Sequence, residues 1–369
     1  MSHTNDLKQC AYLPLKQQNN RVWRTYGGGA LIDKWKNKIP AVDGELPEQW
    51  IMSTVIAIGK GRPDDEGLTY LETPIGVKSL KELVESDKEL YLGKALAEKF
   101  GTTGVLIKML DSNERLTIQV HPDKEYAKNK LNSVFGKTES WYVLNKREIG
   151  GEPSVVYMGF KEGVTKEVWK QYFENQDIEG MLNCLHKIEV NPGDAFVIYG
   201  GVPHAIGAGC FLMEVQEPTD YTMRVEKITP AGLKIADELI HQGVGEATML
   251  ECFHYDTYSY QEALDAWKVK PQVIEFSDTF ELRSIFNETH TNCFAVKELD
   301  LLESGSTYSL EANGSFYVAV IYSGEGIILC NGKEYEFKQG DEIFFSAAID
   351  GVTFKSNIKS KILLCYPPI

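Results

Sequence analysis

The 369-residue chain lacks any excess of positive charge: 38 Lys and Arg stand against 53 Asp and Glu, a formal net charge of −15. Such a surface repels phosphate backbones, which argues against a nucleic-acid partner, so any phosphate must be held locally by a few placed basic side chains. The seven cysteines (Cys10, Cys184, Cys210, Cys252, Cys293, Cys330 and Cys365) are odd in number, far apart and without a CxxC pair. That pattern speaks against a secreted disulfide framework and for reduced thiols in a cytosol. No apolar run approaches the ~20 residues of a membrane span, and the opening MSHTNDLKQC has no signal-peptide core. Low-complexity tracts are absent, which excludes extensive disorder. The expectation is a cytoplasmic protein with no membrane partner.

What is present is ordinary globular material, 43% hydrophobic and 25% charged, in a chain long enough for two or three domains. Short runs rich in Val, Ile, Tyr and Phe, bounded by Gly, Asp, Asn or Pro, predict strands over 115–121, 140–144, 154–160, 186–190, 195–199 and 211–216. A dense group follows at 316–322, 326–330, 333–337, 342–345, 352–355 and 361–365. Asn331-Gly332 separates GIILC from KEYEF as a two-residue hairpin turn that wants positive φ. Apolar stripes at helical spacing predict helices over 79–100, 165–173, 178–185 and 231–242.

Gly193-Asp194 is followed by AFVIYGGVPH, and Gly340-Asp341 by EIFFSAAIDG. In both, Gly-Asp precedes four apolar residues and a small-residue turn. The position eleven beyond the Gly is His204 in the first copy and Gly351 in the second. The repeat suggests a duplicated β-unit. The fold expected is mainly β, with two jelly-roll barrels or sandwiches and short helical insertions at about 75–100, 163–185 and 230–242. An N-terminal catalytic domain over 1–265 and a C-terminal domain over 266–369 are divided where QEALDAWKVKPQ interrupts the strand pattern.

In RLTIQVH (115–121), Leu116, Ile118 and Val120 alternate with Thr117, Gln119 and His121, so one face is apolar and the other polar. Lys137 and Glu139 share a face by the same parity. His204 sits at a strand end among small residues, where a ligand can approach. Gln119, His121, Glu139 and His204 together form a divalent-metal set, since imidazole and carboxylate suit zinc and an amide oxygen can fill a further position.

Gly193, five residues, Tyr-Gly-Gly, two residues and then His204 resembles the second metal motif of the cupin superfamily. Gln119-x-His121 with Glu139 resembles the first. QVHPDKEYA (119–127), GKTESWYVL (136–144), VPHAIG (202–207) and the spacing of Glu214 to Arg224 together resemble type I phosphomannose isomerases, as does PEQWIMS (47–53). The resemblance spans most of 20–225 and, as a degenerate cupin without metal ligands, 290–369. It implies one zinc per chain on Gln119, His121, Glu139 and His204, and interconversion of mannose 6-phosphate with fructose 6-phosphate. It also implies that Lys137, Glu214 and Arg224 are active-site residues and that Thr117 offers a hydroxyl near the substrate phosphate. VEKITPAG (225–232) does not reproduce the Thr-Pro-Lys of longer members, which leaves Lys227 as the nearby lysine for the substrate.

Aldose–ketose isomerisation through an enediol needs a Lewis acid, a base over C1 and C2, and an anchor for the phosphate. Glu214 is the first choice of base and Lys137 the second. Arg224 would stabilise the enediolate or bind phosphate bidentately. Three other readings fit a cupin: a metal-dependent isomerase of another sugar phosphate, a two-His, one-carboxylate iron oxygenase, and a sugar-binding protein without turnover. Lys137 and Arg224 argue for an anionic small-molecule substrate, in a monomer or homodimer.

Overall fold

The computed structural model describes residues 2–59 and 61–368, with side chains from residue 4 onward. The described residues are mainly β and form four stacked sheets and a separate two-stranded one, Tyr70–Thr73 with Gly76–Ser79. The first, here the site sheet, joins Leu185–Glu189, Val155–Lys161, His204–Ile206, Gln119–Val120 and Met223–Arg224, with Thr257–Tyr258 added parallel to Val155–Lys161. The inner sheet runs Lys268–Val269, Ala195–Ile198, Glu139–Lys146, Cys210–Gln216, Leu106–Asp111, Glu48–Ile51 and Arg21–Val22. The back sheet holds Leu15–Lys16, Glu342–Phe345, Tyr317–Ser323, Ser360–Tyr366, Ala295–Leu301, Phe280–Phe286 and Gln272–Phe276. The outer sheet holds Thr307–Glu311, Gly351–Ser356, Glu325–Cys330 and Lys333–Lys338.

Strand alternation explains the stacking, because each strand feeds two layers. Trp141, Val143, Phe196 and Leu212 of the inner sheet pack on Val156, Met158, Ile188 and Ile206 of the site sheet. The opposite face of the inner sheet, with Met109, Tyr142, Val197 and Met213, packs on Val296, Val318, Phe344 and Leu363 of the back sheet. Tyr142 Oη donates to Glu298 Oε2 at 2.7 Å and Trp35 Nε1 to the Ile321 carbonyl at 3.0 Å across this junction. Helices cover the far face of the site sheet, where Trp169, Phe173, Met181 and Ile240 meet Ile118, Val120, Phe160 and Met223.

The Gly-Asp repeat appears as the same strand–turn–strand device in each half. Asp194 and Asp341 each accept, through a side-chain oxygen, the backbone N–H three residues earlier, at 2.9 and 3.0 Å. The strands that follow are Ala195–Ile198 and Glu342–Phe345, and the next begin at His204 and Gly351. Asn331 (φ 50°) and Gly332 (φ 72°) make the predicted left-handed hairpin turn. Leu15–Lys16 pairs with Glu342–Phe345 in the back sheet, and Lys268–Val269 pairs with Ala195–Ile198 in the inner sheet, so the chain crosses between the sheets after Val269.

Three expectations are corrected. The helix over 79–100 is three helices, Leu80–Ser86, Lys88–Leu92 and Lys94–Lys99. Extended Asp87 caps the second through Leu90 N–H, and Gly93, at φ 88°, breaks the path again. Of 231–242 only Asp237–His241 is helical, because Ile228 bridges to Lys234 as a small hairpin and leaves Leu233 exposed. The strand over 115–121 shortens to Gln119–Val120: Arg115 and the Ile118 N–H bond to the Glu226 carboxylate instead of continuing the ladder.

Phe344 is fully buried between the halves, against Tyr91 and Phe316. Phe344→Ala should lower the unfolding free energy by about 3–5 kcal/mol in a single transition for both halves. A urea titration followed by tryptophan fluorescence and by far-UV CD would show it, and a loss under about 1 kcal/mol would contradict the shared core.

Candidate metal centre and active site

The polar face of the 115–121 segment turns into the space between the site and inner sheets. Register does most of the assembly: Gln119 stands opposite His204 on one side and Arg224 on the other. On the inner sheet Gln216 stands opposite Glu139, and Glu214 opposite Lys108. Six strands distant in sequence thus deliver their polar side chains to one place.

His121, Glu139 and His204 are buried and their ligand atoms lie within 4.8 Å of one another. His121 Nε2 is 3.0 Å from Glu139 Oε2, and His204 Nε2 is 3.4 Å from Glu139 Oε1. Each imidazole is oriented through its other nitrogen: Nδ1–H of His121 donates to the Tyr221 carbonyl and that of His204 to the Val202 carbonyl, both at 2.9 Å. Nε2 is left as an acceptor in both rings; that of His204 faces the Gln119 amide nitrogen, while that of His121 has no hydrogen-bond partner among the described residues. Trp141 Nε1 donates to Glu139 Oε1 at 3.0 Å. Burial, reinforced at His121 by the Lys137 ammonium, holds both histidines below their ordinary pKa and therefore neutral.

His121 Nε2 and Glu139 Oε2 make no hydrogen bond among the described residues although both are buried. Buried polar atoms without partners are costly, and two acceptor imidazole nitrogens facing one carboxylate are what a divalent cation satisfies. The residues fit a metal. Gln119, whose amide nitrogen lies 3.2 Å from His204 Nε2, is the amide that could add an oxygen.

Beside this cluster lies a chain of buried charges. Lys137 Nζ is 3.6 Å from Glu139 Oε2. Lys108 Nζ lies 2.8 Å from Glu214 Oε1 and 3.8 Å from Glu48 Oε2. Glu48 is further held by Arg24 Nε (2.8 Å), Tyr26 Oη (2.7 Å) and Trp50 Nε1 (2.7 Å). Burial raises the Glu214 pKa despite Lys108, and burial with Lys108 lowers that of Lys137. Burial works to raise Glu48 too, but Arg24 and Lys108 outweigh it and the carboxyl is held well below its usual range. Arg224, its pKa brought down by burial to about 10, remains a cation and donates to the Thr222 and Leu239 carbonyls.

Thr117, Gln119, Lys137, Glu214 and Arg224 therefore line one cavity, of about 30 Å³, together with Lys108, Glu48 and Arg24. Arg24, Thr25 and Tyr26 also line an adjoining open cleft of about 550 Å³. Lys227 is not brought there. It lies three residues beyond Arg224, after the chain has bent away, where its ammonium pairs with Glu246 at 2.7 Å and lies over the Phe173 ring. Sequence reading missed Glu48, Lys108, Arg24, Tyr26 and Asp220 as residues of this cavity. Asp220 pairs with Arg24 at 3.4 Å and accepts the Ile58 N–H. The signal for Lys108 was a lone charge within the apolar run LIKML.

Fold and site together define a cupin with a His/Glu/His metal-type centre. Residues 14–148 match the catalytic domain of type I phosphomannose isomerase, and 285–364 the cupin domain of mannose-6-phosphate isomerase, together more than half of the chain. The mannose-6-phosphate isomerase of Streptococcus mutans is 28% identical over 345 residues, covering 93% of this chain and 94% of that one. ManA of Bacillus subtilis, a mannose-6-phosphate isomerase, is 27% identical over 277 residues, 72% of this chain and 75% of its own length. Among solved structures, the Bacillus subtilis mannose 6-phosphate isomerase superposes with a TM-score of 0.72 at 21% identity, covering 96% of this chain and 99% of that one. A phosphomannose isomerase variant from Salmonella typhimurium gives 0.69 at 16%, covering 97% and 100%. The chain belongs to the type I phosphomannose isomerase family.

Glu48 gives a pH prediction. Its folded pKa lies below the unfolded value of about 4.3, so its contribution to stability is present above that pH and is lost as pH falls below it. Glu48→Gln should flatten the acid side of a plot of urea midpoint against pH between about pH 5 and 2. An acid limb as steep as in the wild type would contradict this assignment.

Proposed function

We propose that the protein is a zinc-dependent aldose–ketose isomerase that interconverts mannose 6-phosphate and fructose 6-phosphate through an enediol, with one zinc per chain on His121, Glu139, His204 and Gln119. The reading also takes 1–265 as the catalytic unit and 266–369 as a cupin unit without ligands, in a cytoplasmic enzyme. No helix among the described residues is long and apolar enough to cross a membrane, and all seven cysteines are free and buried.

The observation that carries the reading is the contact between two sets of buried groups: the imidazole nitrogens of His121 and His204 around Glu139, and the charged side chains Lys137, Glu214 and Lys108 beside them. Zinc, when bound, supplies the Lewis acid that polarises the substrate oxygens. Glu214, with its raised pKa, is suited to take a proton from C1 or C2 and return it to the other carbon. Lys137, with its lowered pKa, can exchange a proton with the sugar oxygens. Arg224 and Arg24 keep fixed positive charge for the enediolate or the phosphate, and the Thr117 hydroxyl can add a hydrogen bond. A cavity of about 30 Å³ holds only one or two waters. Only the reacting end of a hexose phosphate belongs there, and the cleft across Arg24 and Tyr26 is the way in.

A coupled assay with mannose 6-phosphate should show turnover that is lost with a chelator and restored by zinc. His204→Ala should lose both metal and activity, and full activity in that variant would overturn the ligand set. Glu214→Gln should lower kcat by about 10²–10⁴ with KM changed only a few-fold, and turnover in deuterated water should place deuterium at C1 or C2. An unaffected kcat would remove Glu214 from the role of base.

A further inference from the structure

The segment just after His121 is where the ligand-bearing loops meet. The His121 carbonyl accepts the Gly201 N–H at 2.8 Å, three residues before His204, and the Pro122 carbonyl accepts the Lys137 N–H at 2.9 Å, two residues before Glu139. Asp123 closes the corner. Its Oδ1 accepts the Tyr126 N–H at 2.7 Å and caps the helix Lys124–Leu131, while Oδ2 lies 2.9 Å from His254 Nε2. A carboxylate can only accept, so the imidazole donates.

His254 comes from far along the chain, after the helix Glu246–Leu250. Its own N–H donates to the Gly201 carbonyl at 2.9 Å. It is thus bonded through its side chain to the loop of His121 and through its backbone to the loop of His204. The two loops are packed as closely as backbone allows: a Cβ at Gly200 would sit 2.5 Å from the Asp123 backbone, and one at Gly201 would sit 2.4 Å from the His254 ring. His254 is itself half-exposed and no part of the ligand cluster.

We infer that His254 is a positioning residue that clamps the His121 and His204 loops together and so slows the loss of metal from the centre. The inference rests on the metal reading proposed above. In that reading the two histidines would ligate from separate segments, His121 just after one strand and His204 at the start of another, so parting them opens the centre, and the bonds that oppose this at the surface are those through Asp123, Gly201 and His254. Partners of this outlying kind commonly change metal retention while leaving the ligands intact.

The test is zinc release from the full-length holoprotein into excess chromogenic chelator, with the cobalt-substituted absorption spectrum as a second readout. His254→Ala should release metal about tenfold faster than the wild type, with the melting temperature of the metal-free protein unchanged. His254→Gln, whose amide can donate from nearly the same place, should return the rate toward wild type. Equal rates for wild type and His254→Ala would overturn the clamp, as would a His254→Gln rate as fast as that of His254→Ala. A wild-type protein that binds neither zinc nor cobalt would overturn the metal reading, and this inference with it.

Discussion

Two neutral imidazoles and a carboxylate, all buried, cannot be left facing one another without something between them or around them. Here the problem is handled by fixing every other atom of the three groups. Nδ1–H of each imidazole is committed to a carbonyl, and Trp141 holds one carboxylate oxygen. What remains is a set of lone pairs aimed at one place in a low-dielectric interior, an arrangement that favours a cation over water. The ammonium of Lys137, 3.6 Å from Glu139, belongs to the same electrostatic problem. It offsets part of the carboxylate charge and pushes the neighbouring histidine toward its neutral form.

The next layer is a row of alternating charges, Glu139–Lys137 and then Glu214–Lys108–Glu48–Arg24–Asp220. Breaking such a row by removing one member leaves an unpaired buried charge, which is why each link constrains the next. The row also separates the pKa values of chemically similar groups. Glu48, with Arg24 and Lys108 close by, is fixed as an anion, whereas Glu214, equally buried, is held closer to protonation. Two carboxylates that share Lys108 thereby differ, one held as a fixed anion and the other left closer to protonation, as the proposed role of Glu214 requires.

Much of this was legible from alternation. The parity of RLTIQVH places Thr117, Gln119 and His121 on one face and Leu116, Ile118 and Val120 on the other, and both faces are buried as that parity requires. The short C-terminal strands and the Asn331-Gly332 turn were legible for the same local reason. Register was not: nothing in the sequence says that Lys108 stands opposite Glu214, since cross-strand pairing joins segments 106 residues apart. The helices were misjudged where a single residue overrides periodicity, as Asp87 and Gly93 do. The stretch after Arg224 was misjudged because Glu226 and the 228–234 hairpin impose a turn that apolar spacing does not record. Lys227 fell with it, since proximity in sequence to Arg224 says little once the chain has turned.

The duplicated Gly-Asp device shows why, among the described residues, the His/Glu/His cluster forms in the first half. Both copies make the same turn, capped by the same aspartate bond, and both launch a strand eleven residues after the glycine. In the first half that strand opens with His204 and faces a polar cavity between two sheets. In the second it opens with Gly351, and the space between the sheets is filled by Phe337, Phe345, Phe354 and Tyr317, with Tyr317 stacked on Phe345 and Phe354 meeting Phe345 and Phe337 edge to face. A sandwich closed by aromatic packing has no room for polar groups that need solvation or a cation. One closed by charges must give each of them a partner. The second half therefore spends its layers on stability, and its back sheet supports from behind the inner sheet whose other face presents Glu139 and Glu214.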